Sequence, residues 1–471
     1  MAKPGVKKAA EVPGLLSRAQ LEEAIHSGEV ETVVTVVPDM YGRLVGKRIT
    51  GRFFLDETAE HGMHVCDYLL ACDMEMDPTP GYAFTSWEKG YGDVLCKVDW
   101  PTLRRATWLE KSAIVVCDVF KEDSEEPVSV APRNVLRRQM ERARELGYVA
   151  LGASELEFFA FRESYESAHA KGYDKLATFG QYVEDYHILQ GTKTEALNGA
   201  IRRHLDASGV PVEFSKGEWG PGQQEINLRY CELVEMADRH VIYKNACKEI
   251  AASLGLAITF MAKWDAQMAG NSMHVHTSLW DPELRTNLFA GDEALPGSPL
   301  RSATLFRHWL AGLLVHAREI ALFLAPTVNS YKRFVEGTFA PTAIGWAVDN
   351  RTAGFRVVGH GAGLRSECRI PGADANPYLA FAALLAAGLD GIERKLEPPP
   401  MFVGNLYTAV GLPQVPRTLG EAIGTAEGSA FLRQAFGDDV VEHYLHFARV
   451  EKRKFDSAVT TWERARYFER I

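Results

Sequence analysis

Apolar positions along the chain form two successive patterns divided by an acidic stretch. Ser17-Arg18-Ala19-Gln20 is a capping box that opens a short helix ending near Gly28. From Glu31 to Pro38 the apolar residues alternate as in a strand, Asp39-Met40-Tyr41-Gly42-Arg43 reads as a turn into a second strand, and residues 93–99 and 113–118 supply two more. A small α+β unit is expected over residues 15–125, with Lys121 to Val128, acidic and closed by Pro127, as the linker. Pro132 then starts a helix with Leu136, Met140 and Ala143 on one face, and Gly147 stops it before another strand. A larger second unit is expected over residues 130–471. Within it Tyr378 to Leu389 is apolar throughout, too short to span a bilayer, and reads as a buried core helix. The tail from Asp438 to Ile471 carries Val441, Tyr444, Phe447 and Val450 at helical spacing, which predicts packed terminal helices.

Composition narrows the function classes. The 471 residues, 46% hydrophobic and 24% charged, suffice for a large domain and a smaller one. A net charge of −10 without any lysine or arginine block leaves no footprint for nucleic acid or an anionic membrane, so small-molecule chemistry is expected. Seven cysteines, an odd number with no C-x-x-C pair, argue for free thiols in a reducing cytoplasm. Met1 to Lys8 is charged with no apolar run after it, which reads as a short disordered tail and not as a signal peptide.

The candidate chemistry is acidic. In Ala153-Ser154-Glu155-Leu156-Glu157-Phe158-Phe159 strand alternation points Glu155 and Glu157 to one face, where two carboxylates are either solvated or neutralised by a cation. A second acidic pair, Glu218 and Glu225, brackets Trp219-Gly220-Pro221-Gly222, a tight loop able to fold both carboxylates onto one point. His274 and His276 share a strand face, although either alone is more often a hydrogen-bonded core histidine. Arg365, Glu367 and Arg369 share another, as an ion-pair ladder also would. Jointly, glutamates and a histidine suit magnesium or manganese better than zinc, and arginines beside them suit phosphoryl transfer. No P-loop is present, so ATP would be held by metals and arginines. Gly359-His360-Gly361-Ala362-Gly363 is a mobile loop or a phosphate contact.

In order along the chain, Glu155-Leu156-Glu157, Gly222-Gln223-Gln224-Glu225, Met273-His274-Val275-His276, Asn329-Ser330-Tyr331-Lys332-Arg333, Asn350-Arg351, Arg365-Ser366-Glu367-Cys368-Arg369 and Ala375-Asn376-Pro377-Tyr378 resemble the motifs of the glutamine synthetase family. The resemblance implies a small β-grasp-like N-terminal domain and a large catalytic domain whose antiparallel sheet is flanked by helices. It implies two or more Mg2+ or Mn2+ ions, one on Glu157, Glu218 and Glu225 and another on Glu155, His274 and Glu367. Arg351 would stabilise the transferring phosphoryl group, and Arg333 and Arg369 would clamp glutamate carboxylates near Gly270. Glu213, Tyr230, His276, Ser278, Arg356 and Arg365 match positions on the ATP side. The implied reaction phosphorylates the γ-carboxylate of glutamate and lets an amine displace the phosphate. It also implies a ring-shaped homo-oligomer, commonly a dodecamer, with sites between subunits.

Departures from the family pattern cluster where the amine would enter. Ammonia-using members carry a flap glutamate six residues after the arginine of N-S-Y-K-R, and this chain has Phe339 there, followed by Ala340-Pro341 as in the family. Glu336 is the other candidate if the alignment slips. The family's D-G-S-S segment appears as Asp67-Tyr68-Leu69-Leu70, leaving Asp67 to orient or deprotonate the amine. Ala269 replaces a common asparagine, and the residues after Tyr407 do not match the adenylylated loop of some bacterial members, so no adenylylation is expected. Apolar bulk in place of charge favours a carbon-bearing amine, namely ethanolamine, an alkylamine or an arylamine ahead of polyamines. For polyamines only Glu336 and Asp349 are available as additional acids. An ammonia-using glutamine synthetase and a non-catalytic relative are the competing readings.

Overall fold

A computed structural model describes residues 12–471, so the N-terminal tail lies outside the described residues. The capping box forms: Ser17 Oγ accepts from the Gln20 backbone and the Gln20 side chain accepts from the Ser17 backbone at the start of helix Arg18–His26. Strand Thr32–Pro38 then pairs antiparallel with Leu44–Thr50 and parallel with Ser112–Lys121. The Asp39 carboxylate sets the hairpin turn by accepting from the backbones of Tyr41 (2.9 Å) and Arg43 (2.8 Å). Asp93–Val98, Met63–Cys66 and the short Arg104–Arg105 complete a six-stranded sheet.

The acidic stretch connects this sheet to the next helix by way of a turn. Lys121 donates to Glu126 O at 2.8 Å and Val128 to Val119 O at 2.9 Å, so the chain doubles back on the strand it has just left. Helix Pro132–Glu145 begins immediately afterwards with proline in its first turn. Its buried Arg133 bonds Asp99 (2.5 Å) and Asp118 of the small sheet and, bidentately, Asp238 (2.7 and 2.9 Å) of helix Leu233–Ser253. One guanidinium thus joins three segments distant in sequence.

The larger sheet has nine strands and is antiparallel except where Trp346–Val348 runs parallel to Phe355–Val358. Its centre is Val149–Phe161, flanked by Met273–Trp280 on one side and Gln223–Leu228 on the other. Arg365–Cys368 lies outside the Met273–Trp280 strand, and Val212–Gly217 outside Gln223–Leu228. Helices Pro132–Glu145 and Leu233–Ser253 pack on the central strand, and Pro377–Glu393, buried along almost its whole length, packs against Pro132–Glu145 and Thr304–His316. Even-numbered residues of the central strand face the helices: Leu156 and Phe158 are fully buried, and Ser154 Oγ meets His240 Nδ1 at 2.9 Å. Odd-numbered Glu155 and Glu157 are left on the opposite face, open to a cavity.

In the tail, Val441, Tyr444, Phe447 and Val450 are buried along helix Asp438–Ser457. The last helix, Thr461–Tyr467, buries nothing, and Trp462 and Phe468 are exposed; its apolar residues find no facing surface within the chain. This part of the tail departs from the packed helices that its pattern predicted.

Replacing Arg133 with methionine leaves the buried Asp238 carboxylate with only Tyr378 Oη as a side-chain donor. A loss of about 3–5 kcal/mol is expected in denaturant titrations, as for one partner removed from a buried ion pair.

Candidate active site

Register fixes the acidic cluster. Glu155 stands opposite His274 on one neighbouring strand and Asn227 on the other, while Glu157 stands directly opposite Glu225. The turn at Gly220-Pro221-Gly222, with Gly222 at φ +79°, returns the chain so that Glu218 joins Glu157 and Glu225. Two sets of potential ligands result, Glu155–His274–Glu367 and Glu157–Glu218–Glu225, each with donor atoms within 4.8 Å of one another.

The sets differ in how the protein neutralises them. Burial raises the Glu155 carboxyl, but hydrogen bonds with His274 (3.2 Å) and His276 (2.8 Å) outweigh it and hold Glu155 well below the usual carboxylate range. Glu367, fully buried, is likewise raised by burial, yet Arg369 (2.5 Å) and the two histidines bring it down to about 2. Arg356 adds a second guanidinium contact at 2.8 Å. In the other set burial, followed by repulsion from Glu218, pushes Glu157 up to about 8, and the same two causes raise Glu225 well above its ordinary value. Two cations act on it without overcoming those causes: the buried Arg333 guanidinium on Glu157, and Lys216, whose ammonium is paired with Glu218; burial lowers that lysine, but Glu225 and Glu218 raise it above its ordinary value.

This chemistry fits divalent cations. Oxygen-rich donors with one imidazole suit Mg2+ or Mn2+, and His274 Nε2 is buried without a hydrogen-bond partner. Burial and Arg369 lower His274 to about 4, which keeps its imidazole neutral and able to ligate. Bound cations would neutralise the carboxylates and polarise phosphate oxygens.

A cavity of about 230 Å³ opens on both sets. Arg351, Arg356, Arg369, Gly270 and Phe339 line it together with Lys216, Asp185, Tyr186 and Trp219. A Cβ at Gly270 would lie 2.6 Å from Arg333 Cγ and 2.7 Å from Ala262 O, so the wall has no space for a side chain there. Phe339, at φ +60°, packs edge-on against Trp219 with centroids 5.8 Å apart. A second cavity of about 400 Å³ is lined by Glu213, Tyr230, His276, Ser278 and Arg365, with Ala362 and Gly363 of the glycine loop. Glu155, Phe214 and Asn227 line both cavities, so the two adjoin at the acidic cluster. His276 links them: Arg365 Nε donates to its Nδ1 at 3.1 Å, which leaves Nε2–H to donate to Glu155.

Some expected residues stand elsewhere. Arg356 lines the acidic cavity and not the second one, because Glu367 and Asp349 hold it there. Arg333 lines neither: only 1% exposed, it donates to Ile370 O (2.8 Å), Arg369 O (3.0 Å) and Ser272 Oγ (2.8 Å). Asp67 also lines neither cavity; it sits on the turn Asp67–Leu70 after an edge strand of the small sheet, with its carboxyl raised by burial. Glu336 is exposed and lines neither, whereas Phe339 is on the wall. The sequence reading missed Lys216 and Trp219, although each lies within two residues of Glu218. It also missed Asp185 and Tyr186, which belong to an irregular segment without a motif.

Titration with Mn2+ should detect two or more ions per chain, and Glu157→Ala should remove one of them or weaken it at least about tenfold, as perturbing a metal's surroundings commonly does. Because Glu157 is raised to about 8 and must lose its proton to ligate, the affinity of this set should increase from pH 6 to pH 8, with proton release on binding.

The family model "Glutamine synthetase, catalytic domain" matches residues 129–467. The gamma-glutamylethanolamide synthetase GlnA4 of Streptomyces coelicolor is 48% identical over 471 residues, covering 99% of this chain and 100% of that protein. A glutamate–isopropylamine ligase of a Pseudomonas species is 35% identical, covering 96% and 98% respectively. Among solved structures, "GmaS/ADP complex-Conformation 1" superposes with a TM-score of 0.82 at 27% identity, over 95% of this chain and 99% of that one. A family match over most of the chain and relatives aligned from end to end identify the fold and the lineage together: the chain belongs to the glutamine synthetase family.

Proposed function

We propose that the protein is an ATP-dependent ligase joining the γ-carboxylate of L-glutamate to a primary organic amine, with ethanolamine, alkylamines and arylamines ahead of polyamines. The observation that carries this reading is the wall of the acidic cavity. Phe339, which can neither hold a cation by formal charge nor take a proton, stands beside Trp219 where the family resemblance expects the flap glutamate of ammonia-using members. The similarity to an ethanolamide synthetase and an isopropylamine ligase over nearly the whole chain supports it. Neither Glu336 nor Asp349 lines the cavity, which leaves the distal ammonium groups of a polyamine without those carboxylates.

In the proposed reaction a γ-carboxylate oxygen of glutamate attacks the γ-phosphorus of ATP and ADP leaves. The acyl phosphate so formed supplies the leaving group that a carboxylate lacks. The amine nitrogen then attacks the carbonyl carbon, phosphate departs and the nitrogen loses a proton. ATP would occupy the second cavity, against Glu213, Tyr230, His276, Ser278 and Arg365, with its terminal phosphate toward the acidic cluster. Arg351 and Arg356 would neutralise charge on the transferring phosphoryl group. Arg369, already bonded to Glu367, would orient glutamate at Gly270, and Arg333 would support that wall from behind. We further propose a homo-oligomer of the family's ring type, with Asp67 reaching the site from a neighbouring subunit. Seven cysteines without a disulfide support a reducing cytoplasm, and among the described residues no helix is long and apolar enough to cross a membrane.

The test is phosphate release from ATP, glutamate and Mg2+ with a panel of ammonium, ethanolamine, alkylamines, arylamines and polyamines. One organic amine should exceed ammonium clearly; ammonium exceeding every organic amine would contradict the reading. Phe339→Glu should raise kcat/KM for ammonium and lower it for the organic amine, each by about tenfold, the size of effect that one charge-assisted hydrogen bond produces.

A further inference from the structure

Amines in water present a charge that the acidic cavity has to meet. A primary alkylamine, like a lysine side chain with pKa about 10.4, is almost wholly protonated near neutrality, so a site that recruits it from solution needs a carboxylate for the ammonium. Six groups lining or adjoining this cavity carry the metal-ligand pattern, and five of them are glutamates. The cavity has one further carboxylate, Asp185.

Asp185 is held in place by construction. Its neighbour Glu184, 1% exposed, accepts from Gln224 Nε2 at 2.6 Å, and Gln224 Oε1 accepts from Asn198 at 2.6 Å. Glycines make room for Glu184: a Cβ at Gly217 would lie 2.3 Å from Glu184 Cβ, and one at Gly180 2.1 Å from Glu184 Oε1. The Asp185 backbone then donates to Glu218 O at 3.1 Å, which seats the residue beside the metal-ligand loop. Tyr186 follows at φ +61°, a conformation costly for a bulky residue, and this turns its ring toward Lys216, whose Nζ lies 4.5 Å from the ring centroid.

The Asp185 carboxylate is nevertheless unspent. Among the described residues no hydrogen bond reaches it, and its nearest cation, Lys216 Nζ, stands off at 3.9 Å while pairing closely with Glu218. Tyr186, Trp219 and Phe339 line the same cavity, so an apolar chain attached to the ammonium has aromatic surface beside it.

We propose that Asp185 is the specificity residue that captures the protonated amine, holding its ammonium against the Tyr186–Trp219–Phe339 wall before the nitrogen is delivered to the activated glutamate. The proposal rests on the glutamate–amine ligase reading and adds to it a residue from the subunit's own large domain, whose cavity the same subunit's Asp67 does not line. The preferred substrate class is a monoamine with one cationic centre and a short carbon chain, since among the described residues of the subunit no second free carboxylate lines the cavity.

The experiment compares Asp185→Asn and Asp185→Glu with wild type in steady-state amide formation, using ethanolamine, ethylamine and hydroxylamine, the last a weak base that is neutral under the assay conditions. Asp185→Asn should raise KM for ethanolamine and ethylamine by about 10- to 100-fold, the effect of losing a hydrogen bond to a charged group. KM for ATP and glutamate should stay within about twofold, KM for hydroxylamine should not move, and Asp185→Glu should restore most of the lost affinity. Equal KM increases for hydroxylamine and the two alkylamines, or an ethanolamine KM unchanged in Asp185→Asn, would overturn the assignment. A matching loss of Mn2+ affinity would overturn it too, because Asp185 would then act through Lys216 and Glu218. Wild-type protein that uses ammonium and no organic amine would overturn the ligase reading and this proposal together, whereas wild-type amine turnover with an indifferent Asp185→Asn would overturn this proposal alone.

Discussion

Five glutamates converging on one face of a sheet are the constraint to which the rest of the molecule answers. Removing carboxylates from water costs several kcal/mol per charge unless partners compensate, and like charges directly opposite across two strands add to that cost. Glu157 opposite Glu225 is such a pair. The protein compensates one half of the cluster with its own groups, placing the guanidinium groups of Arg356 and Arg369 on Glu367 and hydrogen bonds from two imidazoles on Glu155. In the other half Lys216 pairs with Glu218 and Arg333 acts on Glu157 from behind the wall, and burial with mutual repulsion still raises Glu157 and Glu225 above the usual carboxylate range. The asymmetry leaves one half neutralised by the protein's own groups and the other short of positive charge.

Rigid elements hold the charges, and loops shape what meets them. Five of the six potential ligands lie on strands of one sheet, whose register is fixed by pairing on both sides of Val149–Phe161 and backed by helices whose core includes Leu156 and Phe158. Glu218 is the exception, carried on a turn that depends on Gly222. The groups that would touch the amine, Asp185, Tyr186, Trp219 and Phe339, all sit on irregular segments, two of them at positive φ. Backbone strain gathers where selectivity is expected, while the potential metal ligands are conformationally ordinary. A change of amine would therefore require replacements in loops only.

The placement of the acidic cluster was legible in the sequence because its residues coincide with regular spacing. Alternation put Glu155 and Glu157 on one side of their strand and His274 and His276 on one side of theirs, and pairing register turned those alignments into two ligand sets. The Gly220–Gly222 turn was readable for the same reason, since φ +79° selects glycine. Residues 121–127 are exposed between the small sheet and helix Pro132–Glu145, as their acidic composition suggests, but composition says nothing of the backbone hydrogen bonds that fold this connection back on its strand. Arg333 stood in a recognisable motif, yet its guanidinium turns toward the carbonyls of Ile370 and Arg369, an orientation that no local pattern encodes. Asp185 and Tyr186 were invisible because their position depends on Glu184 reaching Gln224, forty residues further along the chain.

If this acidic cluster activates a carboxylate by phosphorylation so that an organic amine can displace phosphate, one γ-carboxylate oxygen of glutamate must leave with the phosphate. Glutamate labelled with oxygen-18 in its γ-carboxylate, incubated with ATP, Mg2+ and ethanolamine, tests it in one measurement: mass spectrometry of the inorganic phosphate and of the amide. Transfer of one labelled oxygen to phosphate for each amide formed is the predicted result. Amide formed with unlabelled phosphate, or label recovered in AMP, would contradict the account.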